Sequence, residues 1–193
     1  MNLLNKIHFL DCALCPWWFA YTFDNPVRRV LHKPERVVGP YVKDGMTALD
    51  IGCGMGHFSI GMAKLVGDGG SVISVDLQQK MLDKVKKRAE HNGVANRISL
   101  RLCKQDDIGV AEKVDFALTF WMAHEVPNQK RMFEQIRLIL KDGGKWMLAE
   151  PKLHISLDRF EKIVSEAVAS GFTVVSRPVV TMSYTAVLEK SRK

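Results

Sequence analysis

From residue 47 onward, short apolar runs alternate with stretches in which apolar residues recur every three or four positions, which predicts strands interleaved with helices. Ala48-Leu-Asp-Ile51 and Ser71-Val-Ile-Ser-Val-Asp76 read as buried parallel strands. Gln78 to about Asn92 places Met81, Val85 and Ala89 on one helical stripe, and Asn92-Gly93 supplies the residues expected at a helix end. Arg97–Cys103 alternates toward a third strand, and Val114–Phe120 reads as a fourth. Pro127 suits the first turn of a helix running to about Lys141, with Met132, Ile136, Ile139 and Leu140 at helical spacing. Asp142-Gly-Gly144 breaks that helix, and Lys145–Ala149 forms a fifth strand ending in Glu150-Pro151. A last helix carries Phe160, Ile163, Val164, Ala167 and Val168 on one face and stops at Gly171, and 172–178 and 179–188 read as two closing strands. No repeat or low-complexity segment interrupts the pattern.

The first strand runs directly into Gly52, Gly54 and Gly56. Without β-carbons, these residues let a ligand approach the main chain, so that exposed N–H groups and the positive end of the next helix can face a polar or anionic cofactor. The same glycines would also serve a tight strand-to-helix turn that binds nothing. Asp50 stands inside an otherwise apolar strand, and its burial requires donors from the loop or from a ligand. Asp76 lies 20 residues after Gly56, at the end of the neighbouring strand. A carboxylate there can accept both hydroxyls of a ribose, which points to a ribose-bearing cofactor. A dinucleotide fingerprint would need a glycine where His57 stands.

These residues resemble the class I S-adenosylmethionine-dependent methyltransferases, in the small ubiquinone/menaquinone-type and arsenite-type branch. The likeness rests on Leu49-Asp-Ile-Gly-Cys-Gly-Met-Gly56, Val75-Asp-Leu-Gln-Gln-Lys-Met-Leu82 and Leu140-Lys-Asp-Gly-Gly-Lys-Trp-Met-Leu-Ala-Glu-Pro151, and spans roughly residues 42–189. It implies an α/β fold, a Rossmann-like, doubly wound, seven-stranded and mostly parallel sheet with an antiparallel terminal strand, preceded by a short N-terminal helical lid. The closing strand pair is a second argument against an ordinary NAD fold. The resemblance implies S-adenosylmethionine as cofactor, met by Asp50, Gly52, Gly54, Gly56, His57, Asp76 and Leu77. The family often places an acid after the third strand to bind the adenine amino group. Lys104 occupies that position here, so Gln105 and Asp106 are the substitutes assigned to adenine.

Composition is consistent with one domain, since 193 residues with 47% hydrophobic content bury a single core. Residues 1–41 then form the lid and substrate segment and 42–193 the cofactor-binding core. Trp17, Trp18, Phe19 and Tyr21 either build that lid or simply cover the sheet end. The apolar stretch around Pro16–Ala20 is too short for a membrane span, which needs ~18 residues or more, and reads as neither signal nor anchor. Four cysteines make no disulfide framework, and a reducing, cytoplasmic setting is expected. Cys12-x-x-Cys15 lacks the second pair of a structural zinc site, so no metal is assigned. Beside His124 or His154 the two thiols could still form a patch near the methyl group.

The net charge of +7 raises the possibility of nucleic-acid or acidic partners. Lys80, Lys84, Lys86, Lys87 and Arg88 read instead as the solvated face of one helix. Methyltransferases acting on base amino groups carry Asp/Asn-Pro-Pro-Tyr/Phe after the fourth strand, where this chain has Trp121-Met-Ala-His-Glu-Val126, so nucleic acid is disfavoured. The partner expected is a small-molecule methyl acceptor, with oligomeric state unspecified.

In-line transfer from a sulfonium requires chiefly alignment and exclusion of water, with a base only where the nucleophile carries a proton. His124 and His154 are the candidate catalytic residues, because both lie on loops at the sheet's ligand edge and imidazole titrates near neutrality. Either could equally make a structural hydrogen bond. Glu125 and Glu150 could cap a helix or hold the donor's methionine end. Two other readings stay open at this point, a noncatalytic S-adenosylmethionine-binding protein and a nucleotide-dependent oxidoreductase.

Overall fold

Parallel strands with apolar residues on both faces need cover on both sides, and the chain supplies it by alternation. A computed structural model describes residues 30–191. After a short helix α1 (Pro34–Val37) come β1 (Thr47–Ile51), α2 (His57–Leu65), β2 (Ser71–Asp76), α3 (Gln79–His91), β3 (Ile98–Leu102), β4 (Val114–Phe120), α4 (Gln129–Ile139), β5 (Leu140–Pro151), α5 (Leu157–Ala169), β6 (Phe172–Ser176) and β7 (Ser183–Lys190). The sheet order is β3-β2-β1-β4-β5-β7-β6, with β7 antiparallel between β5 and β6 and the first five strands parallel. β1 is an interior strand beside the central β4, paired with β2 from Thr47↔Ser71 to Ile51↔Val75 and with β4 from Ala48↔Phe116 to Ile51↔Thr119. The exits of β1, β2, β4 and β5 therefore open on one edge. The expected seven-stranded, mostly parallel α/β sheet is the one observed.

Successive residues of a strand point to opposite faces, so each central strand feeds two cores. Leu49, Ala117, Trp146 and Leu148 join Phe133, Ile136, Phe160 and Ile163 of α4 and α5 on one face. Ala48, Phe116, Leu118 and Met147 join Val37 of α1 and Phe58 and Met62 of α2 on the other. Leu82 and Val85 of α3 close over Cys53. The predicted stripe of α3 is buried as expected, with Leu82 added.

Several boundaries differ from the sequence reading, each for a local reason. β5 begins at Leu140 because that residue already pairs with Val114; the Asp142-Gly-Gly144 break is a bulge, and regular pairing resumes at Phe116↔Lys145. The helix expected at Pro127 starts two residues later, because the Asn128 side chain accepts the Arg131 N–H and so caps α4. Val168 is 45% exposed, so the apolar face of α5 ends at Ala167. The last strand starts at Ser183 and not at Val179. The intervening turn is closed by a Ser183 N–H bond to Val180 O, and Met182 takes a left-handed φ of 56°. Val179 is fully exposed in that turn. Arg88 also departs from the solvated face assigned to it, since its Nη1 donates to Met55 O at 2.8 Å and ties α3 to the glycine loop. Trp17, Trp18, Phe19, Tyr21, Cys12 and Cys15 lie outside the described residues.

Trp146 is the keystone of the α4/α5 face. It is fully buried between Phe133 and Phe172, and its indole N–H donates to the buried Thr119 hydroxyl at 3.0 Å. Trp146→Ala is expected to lower unfolding stability by about 3–5 kcal/mol through the cavity it leaves. Thr119→Val, which preserves shape but orphans the indole N–H, should cost about 1–3 kcal/mol. Urea unfolding would show both as lower midpoints at unchanged slope.

Candidate functional site

The glycine trio is required by the backbone itself. Gly52, Gly54 and Gly56 have φ of 66°, 53° and 81°, a region that side-chain-bearing residues rarely occupy. Two of them are also packed shut, since a Cβ on Gly52 would lie 2.9 Å from Met122 Cγ and one on Gly56 2.9 Å from Val85 Cγ2. Gly54 differs, because a Cβ there would meet nothing within 4 Å. The loop thus presents its main chain to open space at Gly54, on the edge where β1 ends and α2 begins.

Asp76 closes the other side of this cradle. It is 7% exposed and accepts the N–H of Gly54 through Oδ2 and that of Gln78 through Oδ1, each at 2.9 Å. Desolvation raises its pKa, opposed by amide hydrogen bonds from Gln78, Gly54 and Leu77. Each carboxylate oxygen can accept a second hydrogen, so a pair of ligand hydroxyls can still be bound. A left-handed amide loop opening at Gly54, with an acid beside it, fits the aminoacyl and ribose parts of S-adenosylmethionine. Asp50, 3% exposed, accepts the Ser59 hydroxyl at 2.5 Å. One donor to it therefore comes from α2. His57 points back to the segment before α1, its Nε2 lying 2.7 Å from His32 O.

Gln105 and Asp106 lie on the exposed segment after β3. That segment is held by its main chain, with Arg131 Nε and Gln135 Nε2 of α4 donating to Asp106 O at 2.7 and 3.0 Å. Cys53 and Cys103 are free thiols at the exits of β1 and β3. Burial is the main cause that pushes Cys53 well above its usual value and Cys103 up to about 11, so both are poor thiolates.

The exit of β4 makes a short turn, Ala123–Glu125, preceded by Trp121 at φ 62°. That left-handed tryptophan is held by its N–H to Ala149 O at 2.7 Å and by its indole N–H to Ser183 Oγ at 2.9 Å. His124, on the turn, has its ring centroid 6.1 Å from that of His154, which follows β5, and the two rings meet edge to face. The candidates from two separate loops are therefore neighbours. His154 is held below the ordinary histidine value, first by partial desolvation and then by His124, with Glu150 pulling the other way. The neutral imidazole is favoured accordingly. Glu150, fully buried, accepts the Ala123 N–H at 2.8 Å and meets His124 Nδ1 with its other oxygen. Its sequence signal was the one shared with Asp50 and Asp76, an acid at the end of an apolar strand. Met122 connects the two halves, since its side chain lies against Gly52 while its neighbours carry the histidine turn. Among the described residues no group of three or more histidine, cysteine or acidic side chains could hold a metal ion, and no helix is long and apolar enough to cross a membrane.

A sheet of order 3-2-1-4-5-7-6 with a glycine loop after β1 and an acid after β2 defines the Rossmann-like methyltransferase class. The chain belongs to the methyltransferase-domain family, whose model matches residues 42–187. S-adenosylmethionine is the cofactor that goes with this family and fold. Among curated relatives, a demethylmenaquinone methyltransferase of Lactobacillus johnsonii is 34% identical over 108 residues, which are 54% of this chain and 43% of that protein. An arsenite methyltransferase of Halobacterium salinarum is 29% identical over 107 residues, 55% of this chain and 27% of that protein. The chain thus spans less than half the length of these relatives. The fold is shared with a SAM-dependent methyltransferase from Aquifex aeolicus, at a TM-score of 0.79, 20% identity, and coverage of 90% of this chain and 97% of that one.

Gly54→Ala separates strain from ligand contact. With no clash to relieve, it is expected to lower stability by only about 1–2 kcal/mol. The new methyl would protrude into the cradle, and the affinity for S-adenosylmethionine should fall by about tenfold or more, as calorimetric titration would measure.

Proposed function

We propose that the protein transfers the methyl group of S-adenosylmethionine to a small-molecule acceptor seated beside His124 and His154. The observation that carries this reading is the meeting, at one sheet edge, of the left-handed glycine loop with Asp76 on one side and the paired histidines on the other, joined by the Met122–Gly52 contact. When bound, the cofactor supplies an electrophilic methyl carbon on a sulfonium. In this reading Gly52, Gly54 and Gly56 pass the methionine part along their main chain, with Asp50 and His57 ordering the start of α2. Asp76 and the adjoining Leu77 hold the ribose. Gln105 and Asp106 border the adenine, in place of the acid that Lys104 displaces.

His124 takes the proton from the acceptor, and His154, kept neutral, lines the same side. A small metabolite suits the site better than nucleic acid, because the exit of β4 carries this histidine turn and the basic residues are spread along α3.

The test is titration with S-adenosylmethionine and with NAD(P), followed by incubation of a metabolite extract with methyl-labelled donor and identification of the product. Binding of S-adenosylmethionine over NAD(P), with label appearing on a small molecule, is expected. Tight donor binding without any labelled product would favour a noncatalytic binding protein, and preference for NAD(P) would overturn the reading. His124→Ala should lower turnover by about 10²–10⁴-fold while leaving donor affinity nearly unchanged.

A further inference from the structure

Glu150 is a carboxylate with no solvent exposure whose two oxygens are both committed to one short turn. Capping that turn needs a single acceptor, and Oε1 already supplies it to the Ala123 N–H. A carboxylate taken out of water is costly unless both of its oxygens recover hydrogen bonds from the protein. The second oxygen therefore has to find a donor, and the donor it meets is the His124 ring at Nδ1.

Resting on the methyltransferase reading above, we propose that Glu150 is a positioning residue which keeps the hydrogen of His124 on Nδ1 and leaves Nε2 as a proton acceptor, so that the site is built for acceptors whose nucleophilic oxygen carries a proton, a phenolic or enolic hydroxyl. A carboxylate accepts and does not donate, so the Nδ1 contact selects one tautomer. The ring cannot swing away easily, because the turn beneath it is held from two further elements. Gln129 Nε2 of α4 donates to Ala123 O at 2.7 Å, and Arg159 Nη2 of α5 approaches His124 O at 3.4 Å. Among the described residues, the charged and titratable groups that meet the imidazole and its turn include Glu150 from β5, Glu125 from its own turn at 3.9 Å from Nε2, His154 from the segment after β5, and Arg159 from α5.

A base held in one tautomer is of use only where a proton has to leave. A lone pair on arsenic or on a thioether would be methylated without one. With a hydroxyl acceptor, the O–H proton passes to Nε2 as the oxygen forms its bond to the methyl carbon, the carbon–sulfur pair returns to sulfur to leave a neutral thioether, and the imidazolium later releases its proton to water.

The first measurement is long-range ¹H–¹⁵N correlation on histidine-labelled protein, with the His124 signal assigned by its loss in His124→Gln. Nδ1 protonated and Nε2 bare near neutral pH is the expected pattern, and the opposite tautomer would overturn the proposal without any activity assay. The second uses Glu150→Gln, whose carbonyl can still cap Ala123 while its amide hydrogens face Nδ1 and force the hydrogen to Nε2. This variant should bind S-adenosylmethionine within about twofold of wild type, lose about 10²–10⁴-fold in kcat on simple phenols and hydroquinones with little change in KM, and lose the acidic limb of the pH–rate profile. Glu150→Asp, which keeps the charge, should recover part of the rate. A folded Glu150→Gln protein with wild-type kcat and pH profile would overturn the proposal, as would a wild type that methylates arsenite and leaves phenols untouched. Should Glu150→Gln fail to fold, the tautomer and the phenol–arsenite comparison on wild-type protein still decide. A wild type that binds donor and labels neither class sinks the methyltransferase reading itself, a result distinct from all of these.

Discussion

Three carboxylates are buried at the ligand edge of the sheet, Asp50 near the end of β1, Asp76 at the end of β2 and Glu150 near the end of β5, and none exceeds 7% exposure. An acid taken out of water has to recover its hydrogen bonds from the protein, and at a strand exit the nearest donors are those of the next turn or helix. Asp50 takes the Ser59 hydroxyl of α2, Asp76 takes amides from the glycine loop and from the start of α3, and Glu150 takes an amide and an imidazole from the turn after β4. Each acid thereby pins an element that would otherwise be free to choose its path. The cost of burial is the means by which this edge becomes a rigid site.

The pinned elements also touch one another. Gly52 is closed by Met122, Gly56 by Val85 of α3, and the Met55 carbonyl is held by Arg88. A displacement of the glycine loop would therefore be felt both in α3 and in the turn that carries His124. The glycine loop and the histidine turn are coupled mechanically through one methionine side chain, which fits the proposed reaction, in which two reactants must be held in line. The left-handed Trp121 belongs to the same arrangement, since the strain of its φ is offset by two hydrogen bonds that aim the chain from β4 into the histidine turn.

Family membership defines the cofactor and the fold, and says less about the acceptor. The relatives that the chain partly matches act on chemically unlike acceptors by their names, a demethylated menaquinone and arsenite. What differs among such enzymes has to lie in the residues facing the methyl group, and in the function proposed above these are the two histidines, with Glu150 behind one of them. Partial desolvation and the neighbouring His124 hold His154 below the ordinary histidine value, which favours its uncharged imidazole.

The amino-acid sequence by itself determined the apolar runs that become strands, the left-handed glycine loop and the identity of the candidate bases, because these depend on local chemistry. Apolar runs mark buried strands, glycines mark left-handed turns, and an acid at a strand end marks a ligand or a pinned loop. Only the tertiary structure decided which of these meet. Residues 124 and 154 are separated by a helix and a strand, and their contact follows from β4 and β5 being neighbours in the sheet, a fact with no local signature. The role of Glu150 was undecided between helix cap and cofactor contact for the same reason, as its partners come from another strand's exit. Arg88 looked like one more cation on a solvated face until α3 was placed against the glycine loop. β7 starts at Ser183 although Val179 and Val180 are apolar, because in that turn long-range pairing and one left-handed residue outweigh local propensity.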